Sequence, residues 1–288
     1  MSKKKIAVVA PGGVDLKDEM IREIVSKVFV KNVEKLKEND TSLDFYMMKK
    51  GFVDFGAFSW ESLNLWNSFE LFEVILGLKG KGYDAVLIHC FGDPYLYPLR
   101  QLMDIPVVGV FENALYFAKM MGKKVGLITF SDYIVSVMED ALCRYGCKDW
   151  VVSIKTARGS SKSGLTGEDF MEALVDSRRM IERVSEAGRE CIKEGAEVLI
   201  PGCTIMSPVI CMAPGCEKEY PHGLQVVDGV PIVDVISAAV RMTEVFATLK
   251  QAGIPWISRA STFNTPPDDI IKNTIAHFPY HGAGEQRY

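Results

Sequence analysis

The chain repeats itself, and each copy ends a strand-like run on a cysteine. Gly82-Tyr83-Asp84-Ala85-Val86-Leu87-Ile88-His89-Cys90 is echoed by Gly195-Ala196-Glu197-Val198-Leu199-Ile200-Pro201-Gly202-Cys203. Both hold a glycine, a spacer, an acid, an apolar run and a cysteine at the same distance. The echo extends in both directions. Lys4-Lys5-Ile6-Ala7-Val8-Val9-Ala10-Pro11 matches Lys123-Lys124-Val125-Gly126-Leu127-Ile128-Thr129-Phe130, and Ile105-Pro106-Val107-Val108 matches Val230-Pro231-Ile232-Val233. A repeat of this length predicts two similar lobes, since a solenoid needs several short repeats. Lobes that face each other about a pseudo-two-fold bring Cys90 and Cys203 to one cleft.

The 288 residues suit about two domains and can bury a large core. The net charge of −4 is mixed along the chain, so no basic footprint for nucleic acid is expected. No apolar run approaches the roughly 20 residues that cross a bilayer. The start, Met1-Ser2-Lys3-Lys4-Lys5 before Ile6 to Ala10, is too short for a signal-peptide core and reads as a first strand. Seven cysteines, an odd and scattered set, predict reduced thiols and a cytoplasmic protein. Cys143, Cys147 and Cys191 are expected to be buried structural thiols. With four histidines and no ligand spacing, no metal site is expected.

Strand-like runs alternate with helical patterns throughout, which predicts an α/β fold of parallel sheets flanked by helices. Strands are expected at residues 6–10, 43–48, 85–89, 107–110, 125–129, 151–155, 198–201 and 232–235. Helices are expected at 15–39, 60–79 (capped by Gly80), 113–121, 133–145, 167–194 and 236–250, with a loop-like tail after Gly253. Residues 1–112 with 229–288 form the expected first lobe, and 113–228 the second. Two segments stand out. Residues 45–72 hold nine aromatics, expected to be helix-facing core or a wall over the site. Residues 211–223 are present only in the second copy and read as a loop insertion near the second cysteine.

Each cysteine also precedes a helix start. Asp93-Pro94 after Cys90, and Ser207-Pro208 after Cys203, have the form of an N-cap and first helical residue. Such a position offers unsatisfied backbone N–H groups and the positive end of a helix dipole, which predicts lowered thiol pKa values. Ligands of open α/β sheets bind at the carboxyl ends of strands. Two thiols there, across a small molecule, can take a proton from one face and return one to the other. Alternation turns His89 away from the cleft and predicts a core histidine.

Cys90-Phe91-Gly92-Asp93-Pro94 with Pro106-Val107-Val108-Gly109-Val110-Phe111-Glu112 resembles the hydantoin racemase branch of the aspartate/glutamate racemase superfamily. Gly202-Cys203-Thr204 and Val230-Pro231-Ile232-Val233-Asp234 fit the same superfamily, so the resemblance spans roughly residues 4 to 250. It implies two pseudo-symmetric lobes with the site in the cleft between them, and a cofactor-independent racemase or epimerase with Cys90 and Cys203 as its two bases. It also implies a substrate pocket lined by Pro11, Gly12, Phe91, Gly92, Thr129, Ser131 and Thr204. The chain departs from the pattern after the first strand, where Ala10-Pro11-Gly12-Gly13 replaces both the Asn-Pro-Asn of hydantoin racemases and the Asp-Ser of glutamate racemases. Ile205 stands where glutamate racemases have histidine. The expected substrate is a small molecule, a 5-substituted hydantoin or related ring, and the expected state a homo-oligomer. An aspartate/glutamate-type racemase, a maleate-type cis–trans isomerase and a non-catalytic two-lobed binding protein remain the alternatives.

Overall fold

The computed structural model describes residues 3–11, 30–48, 57, 59–277 and 286–287. Its first sheet contains β1 (Lys4–Ala10), β2 (Thr41–Met47), β3 (Ala85–Ile88) and β4 (Val107–Gly109). β1 lies between β2 and β3, with β4 beyond β3, and these strands run parallel. The second sheet is also parallel, with β5 (Val125–Thr129) between β6 (Val151–Thr156) and β7 (Val198–Pro201). β3, β5 and β7 are buried along their whole length. Their unbroken apolar runs reflect parallel strands covered on both faces.

β8 (Val226–Val227) and β9 (Val230–Pro231) form a hairpin. Asp228 and Gly229 form its turn, both at positive φ (47° and 84°), the conformation that Asp-Gly adopts readily. The strand expected at 232–235 reduces to a single parallel bridge from Ile232 to Leu199. The chain then enters the helix Val235–Gln251, capped by Asp234, which accepts the Ile236 and Ser237 N–H groups. That helix returns to pack on β1, β3, β4 and the helix Val110–Met121.

The expected helix 167–194 is two helices, Gly167–Ala173 and Arg178–Lys193. Thr166 and Asp169 form a capping box at the first. The break comes from tertiary anchoring: fully buried Ser177 gives both its N–H and its hydroxyl to Pro214 O. The 211–223 insertion thus divides the helix. The tail is not all loop, because a helix spans Asp268–His277 after Pro266-Pro267, and β10 (Gln286–Arg287) pairs antiparallel with β2. The helix expected at 60–79 runs Glu61–Leu76 and caps at Gly77 rather than Gly80. Of the helix expected at 15–39, residues 15–29 lie outside the described residues, and Lys31–Leu36 is helical.

Candidate active site

Both cysteines line one pocket, each just past the carboxyl end of its strand. Cys90 follows β3 in the first sheet, and Cys203 follows β7 in the second. Pro11, Phe91, Gly92 and Thr204, expected at the site, line it too. Gly12 lies outside the described residues. Thr129 and Ser131 are not in the lining; the intervening Phe130 is. Thr129 is buried at the end of β5, and the Ser131 hydroxyl accepts the Tyr133 N–H, capping a short 3₁₀ turn. Alternation along the chain turns Phe130 into the pocket and its neighbours away.

The two halves touch around the thiols. A Cβ on Gly202 would stand 2.9 Å from Phe91 Cε1 and 3.1 Å from Ile128 O. Only glycine lets the Phe91 ring come that close. Phe91 packs in turn on Phe111, with ring centroids 4.4 Å apart. The Thr204 hydroxyl donates to His89 O at 3.5 Å, joining the two cysteine-bearing turns. His89 is buried, as expected of a core histidine, yet it also lines the pocket. Burial lowers its pKa to about 4, so it is neutral at physiological pH.

The expected lowering of the thiol pKa values does not occur. Burial pushes Cys90 up to about 12, against the pull of the Gly92 backbone, and nearby Asp93 adds to the rise. Burial also raises Cys203, although the Met206 and Ile205 backbone groups favour its thiolate. The Ile205 N–H lies 3.4 Å from Cys203 Sγ. Desolvation of the anion outweighs these few dipoles.

Asp93 and Ser207 do not cap their own helices, which begin at Leu96 and Met206. Asp93 instead accepts the Phe111 N–H (3.0 Å), the Glu112 N–H (2.8 Å) and the Tyr145 hydroxyl (2.9 Å). Ser207 Oγ accepts the Val235 N–H at 3.4 Å. Each side chain thus serves the start of the next long helix.

The rest of the wall is apolar. Phe45 and Met47 from β2, Phe130, Ile134, Met138 and Ile205 face the pocket, and Asn64 reaches it from the helix Glu61–Leu76. Among the described lining residues there is no Lys, Arg, Asp or Glu. Of these, Phe45 is among the aromatics of the segment that the sequence offers as a wall over the site, and the others carry no such expectation. The end of β2 was legible from the strand-end rule, whereas Asn64 sits in the first turn of its helix and gives no local signal. The aromatic segment divides: Phe45 and Tyr46 line the pocket, Trp60 and Trp66 are exposed, and Phe52, Phe55 and Phe58 lie outside the described residues. Of the other thiols, Cys147 and Cys191 are buried as expected, but Cys143 is exposed on the outer face of its helix.

Two parallel-sheet lobes with a cysteine from each at one cleft define a two-lobed racemase-type fold. The sequence pattern of the Asp/Glu/Hydantoin racemase family matches residues 59–243, and the chain belongs to that family of isomerases. A hydantoin racemase from Pseudomonas sp. (strain NS671) is 30% identical over 199 residues, covering 69% of this chain and 70% of that protein. One from Paenarthrobacter aurescens is 26% identical over 186 residues, covering 64% and 69%. The structure of an allantoin racemase from Klebsiella pneumoniae superposes with a TM-score of 0.66 at 19% identity, over 92% of this chain and 94% of that one. No described helix is long and apolar enough to cross a membrane.

Proposed function

We propose that the protein interconverts the enantiomers of 5-substituted hydantoins, with Cys90 and Cys203 as the two bases and no cofactor. The observation that carries this reading is the placement of the two thiols at equivalent strand ends against one apolar pocket. One thiolate takes the C5 proton and becomes a thiol, and the C–H electron pair moves onto the C4 carbonyl as an enolate. The opposite thiol then gives its proton to the other face of C5 and becomes the thiolate, so one turnover exchanges the two protonation states. Cys203, which receives the Ile205 N–H, is the better resting thiolate. Cys90, whose pKa nearby Asp93 raises further, is the better resting thiol.

The wall supports an uncharged ring with an apolar substituent. A free amino acid would bury an ammonium with no acidic partner among the described lining residues, at a cost of several kcal/mol. The curated hydantoin racemases among the relatives support the same substrate class. We further propose a cytoplasmic homo-oligomer that acts on small molecules and not on nucleic acid. The exposed Trp66 and Met120 side chains support self-association, which light scattering behind size-exclusion chromatography tests.

The deciding experiment follows single enantiomers of 5-benzylhydantoin by chiral chromatography. Cys90→Ser and Cys203→Ser are each expected to abolish racemisation. In D₂O each variant still exchanges the C5 proton of one enantiomer, through the thiol that remains. Near-normal racemisation by either variant, or wild-type turnover of glutamate and of no hydantoin, overturns the reading.

A further inference from the structure

We propose that Asn64 is a catalytic residue whose side-chain amide donates to the C4 oxygen of the substrate as the enolate forms. The assignment rests on the hydantoin reading above and extends it to a group outside both cysteine turns.

Asn64 lies in the first turn of the helix Glu61–Leu76 and lines the pocket. Two contacts fix it. The hydroxyl of fully buried Ser68 donates to Asn64 Oδ1 at 3.2 Å. The Tyr95 hydroxyl donates to Leu65 O at 3.0 Å, tying this helix to the chain just beyond Cys90. With Oδ1 engaged as an acceptor, the amide plane directs the two Nδ2 hydrogens the other way. Nδ2 meets no hydrogen-bond acceptor among the described residues.

That direction is toward the reacting centre. A Cβ built on Gly92 would lie 3.8 Å from Cys90 Sγ and 3.9 Å from Asn64 Nδ2, and apart from its chain neighbours no other described residue comes within 4 Å. Thiol and amide therefore flank one open spot above Gly92, each at ordinary contact distance. A ring atom there has a base on one side and an N–H donor on the other. In a hydantoin the acidic C5–H and the C4 carbonyl are adjacent, so a single pose presents the proton to Cys90 and the oxygen to Asn64. The other polar lining groups are less free. The Thr204 hydroxyl is committed to His89 O, and the Tyr46 hydroxyl is paired with that of Tyr83. In a site walled by apolar side chains, a positioned donor is worth far more to a developing oxyanion than in water.

The test uses full-length protein and three substrates: 5-benzylhydantoin, its 4-thioxo analogue and its 2-thioxo analogue. Sulfur is a weak acceptor, so the 4-thioxo compound removes the proposed bond from the substrate side. Asn64→Ala is expected to lower kcat/KM about 10²-fold for the parent ring and the 2-thioxo ring. For the 4-thioxo ring the loss is expected to be under about tenfold, because wild type gains little from the amide there. Asn64→Asp keeps the size and the Ser68 contact but turns the donor into an acceptor, and it is expected to show the same pattern. Equal losses on all three substrates would mark Asn64 as structural and overturn the assignment. So would an Asn64→Ala variant within about threefold of wild type on the parent ring. Wild type inert toward every ring overturns the hydantoin reading itself and the role of Asn64 with it.

Discussion

Removal of the Asp93 carboxylate gives the sharpest test of how the fold holds Cys90. Asp93 is three residues past Cys90 and buried, and it satisfies two backbone N–H groups at the start of the helix Val110–Met121 as well as the Tyr145 hydroxyl. Asp93→Ala leaves both N–H groups without an acceptor in a dry site. Each orphaned donor costs about 1–3 kcal/mol, and the hydroxyl can turn elsewhere. We expect a loss of about 3 kcal/mol at pH 5, a fall in Tm of roughly 6–12 °C for a chain of this size. Burial pushes Asp93 up to about 7. The folded state therefore holds that proton more tightly than the unfolded chain. Its contribution is full below the ordinary carboxylate range and is lost as pH rises through about 7. The gap between wild type and variant should accordingly be narrower at pH 8 than at pH 5. Gly109 supplies an internal check. A Cβ there would stand 2.5 Å from Asp93 Cγ, so Gly109→Ala should destabilise wild type and cost much less in the Asp93→Ala background. Urea titrations of the four proteins measure the cycle. A loss under 1 kcal/mol for Asp93→Ala, or strict additivity, would show that Asp93 does not hold the start of the helix Val110–Met121.

Three further expectations are independent of that cycle. Because burial pushes Cys90 up to about 12, its alkylation by iodoacetamide in the empty enzyme should speed up about tenfold per pH unit from 7 to 10; a plateau below pH 8 would show that Cys90 is already a thiolate in the empty pocket. Gly202→Ala would drive its methyl to 2.9 Å from the Phe91 ring and 3.1 Å from Ile128 O; we expect more than a tenfold loss of kcat/KM with circular dichroism unchanged, and a fully active variant would show that Phe91 can yield. Racemisation should survive exhaustive chelation, and loss restored by an added metal would count against a two-thiol mechanism.

Much of the fold was legible because it depends on local pattern. β3, β5 and β7 are short unbroken apolar runs bounded by glycine or charge, and the repeat marks Cys90 and Cys203 as equivalent. What was not legible depends on tertiary contact. The break at Ser177 exists because Pro214 accepts both its donors, and no helix-breaking residue announces it. The thiol pKa values were misjudged for a related reason. A helix start can be read from Asp-Pro or Ser-Pro, but the apolar wall around the thiols comes from groups far apart in sequence, such as Phe45 and Met138. Asn64 gives no signal because a first-turn asparagine among exposed neighbours is usually solvated. The role proposed for it rests on Ser68 and Gly92, which only the fold places around it.

The two capping contacts account for why the repeat extends beyond the cysteines. In the first copy, Cys90 is followed three residues later by Asp93, which holds the start of Val110–Met121. In the second, Cys203 is followed four residues later by Ser207, which reaches the start of Val235–Gln251. Each turn that carries a thiol is thereby tied to the helix that follows the next strand-like run, Val107-Val108 in one copy and Ile232-Val233 in the other. The strengths differ. Asp93 makes three bonds of 3.0 Å or less, while Ser207 accepts one long bond from its helix start and Asp234 completes that start itself. Charge follows from the difference. The first turn carries an acid beside its thiol, which raises the Cys90 pKa, and the second carries a neutral hydroxyl. In the two-base reading proposed above, one thiolate is needed beside one thiol once substrate is bound, and a pair made unequal by its caps favours loss of the Cys203 proton over that of Cys90. Ser207→Asp should reduce the inequality by putting an acid into the second turn as well, and it is expected to slow turnover from one enantiomer more than from the other. Equal slowing in both directions would show that the caps hold the turns without setting the charge.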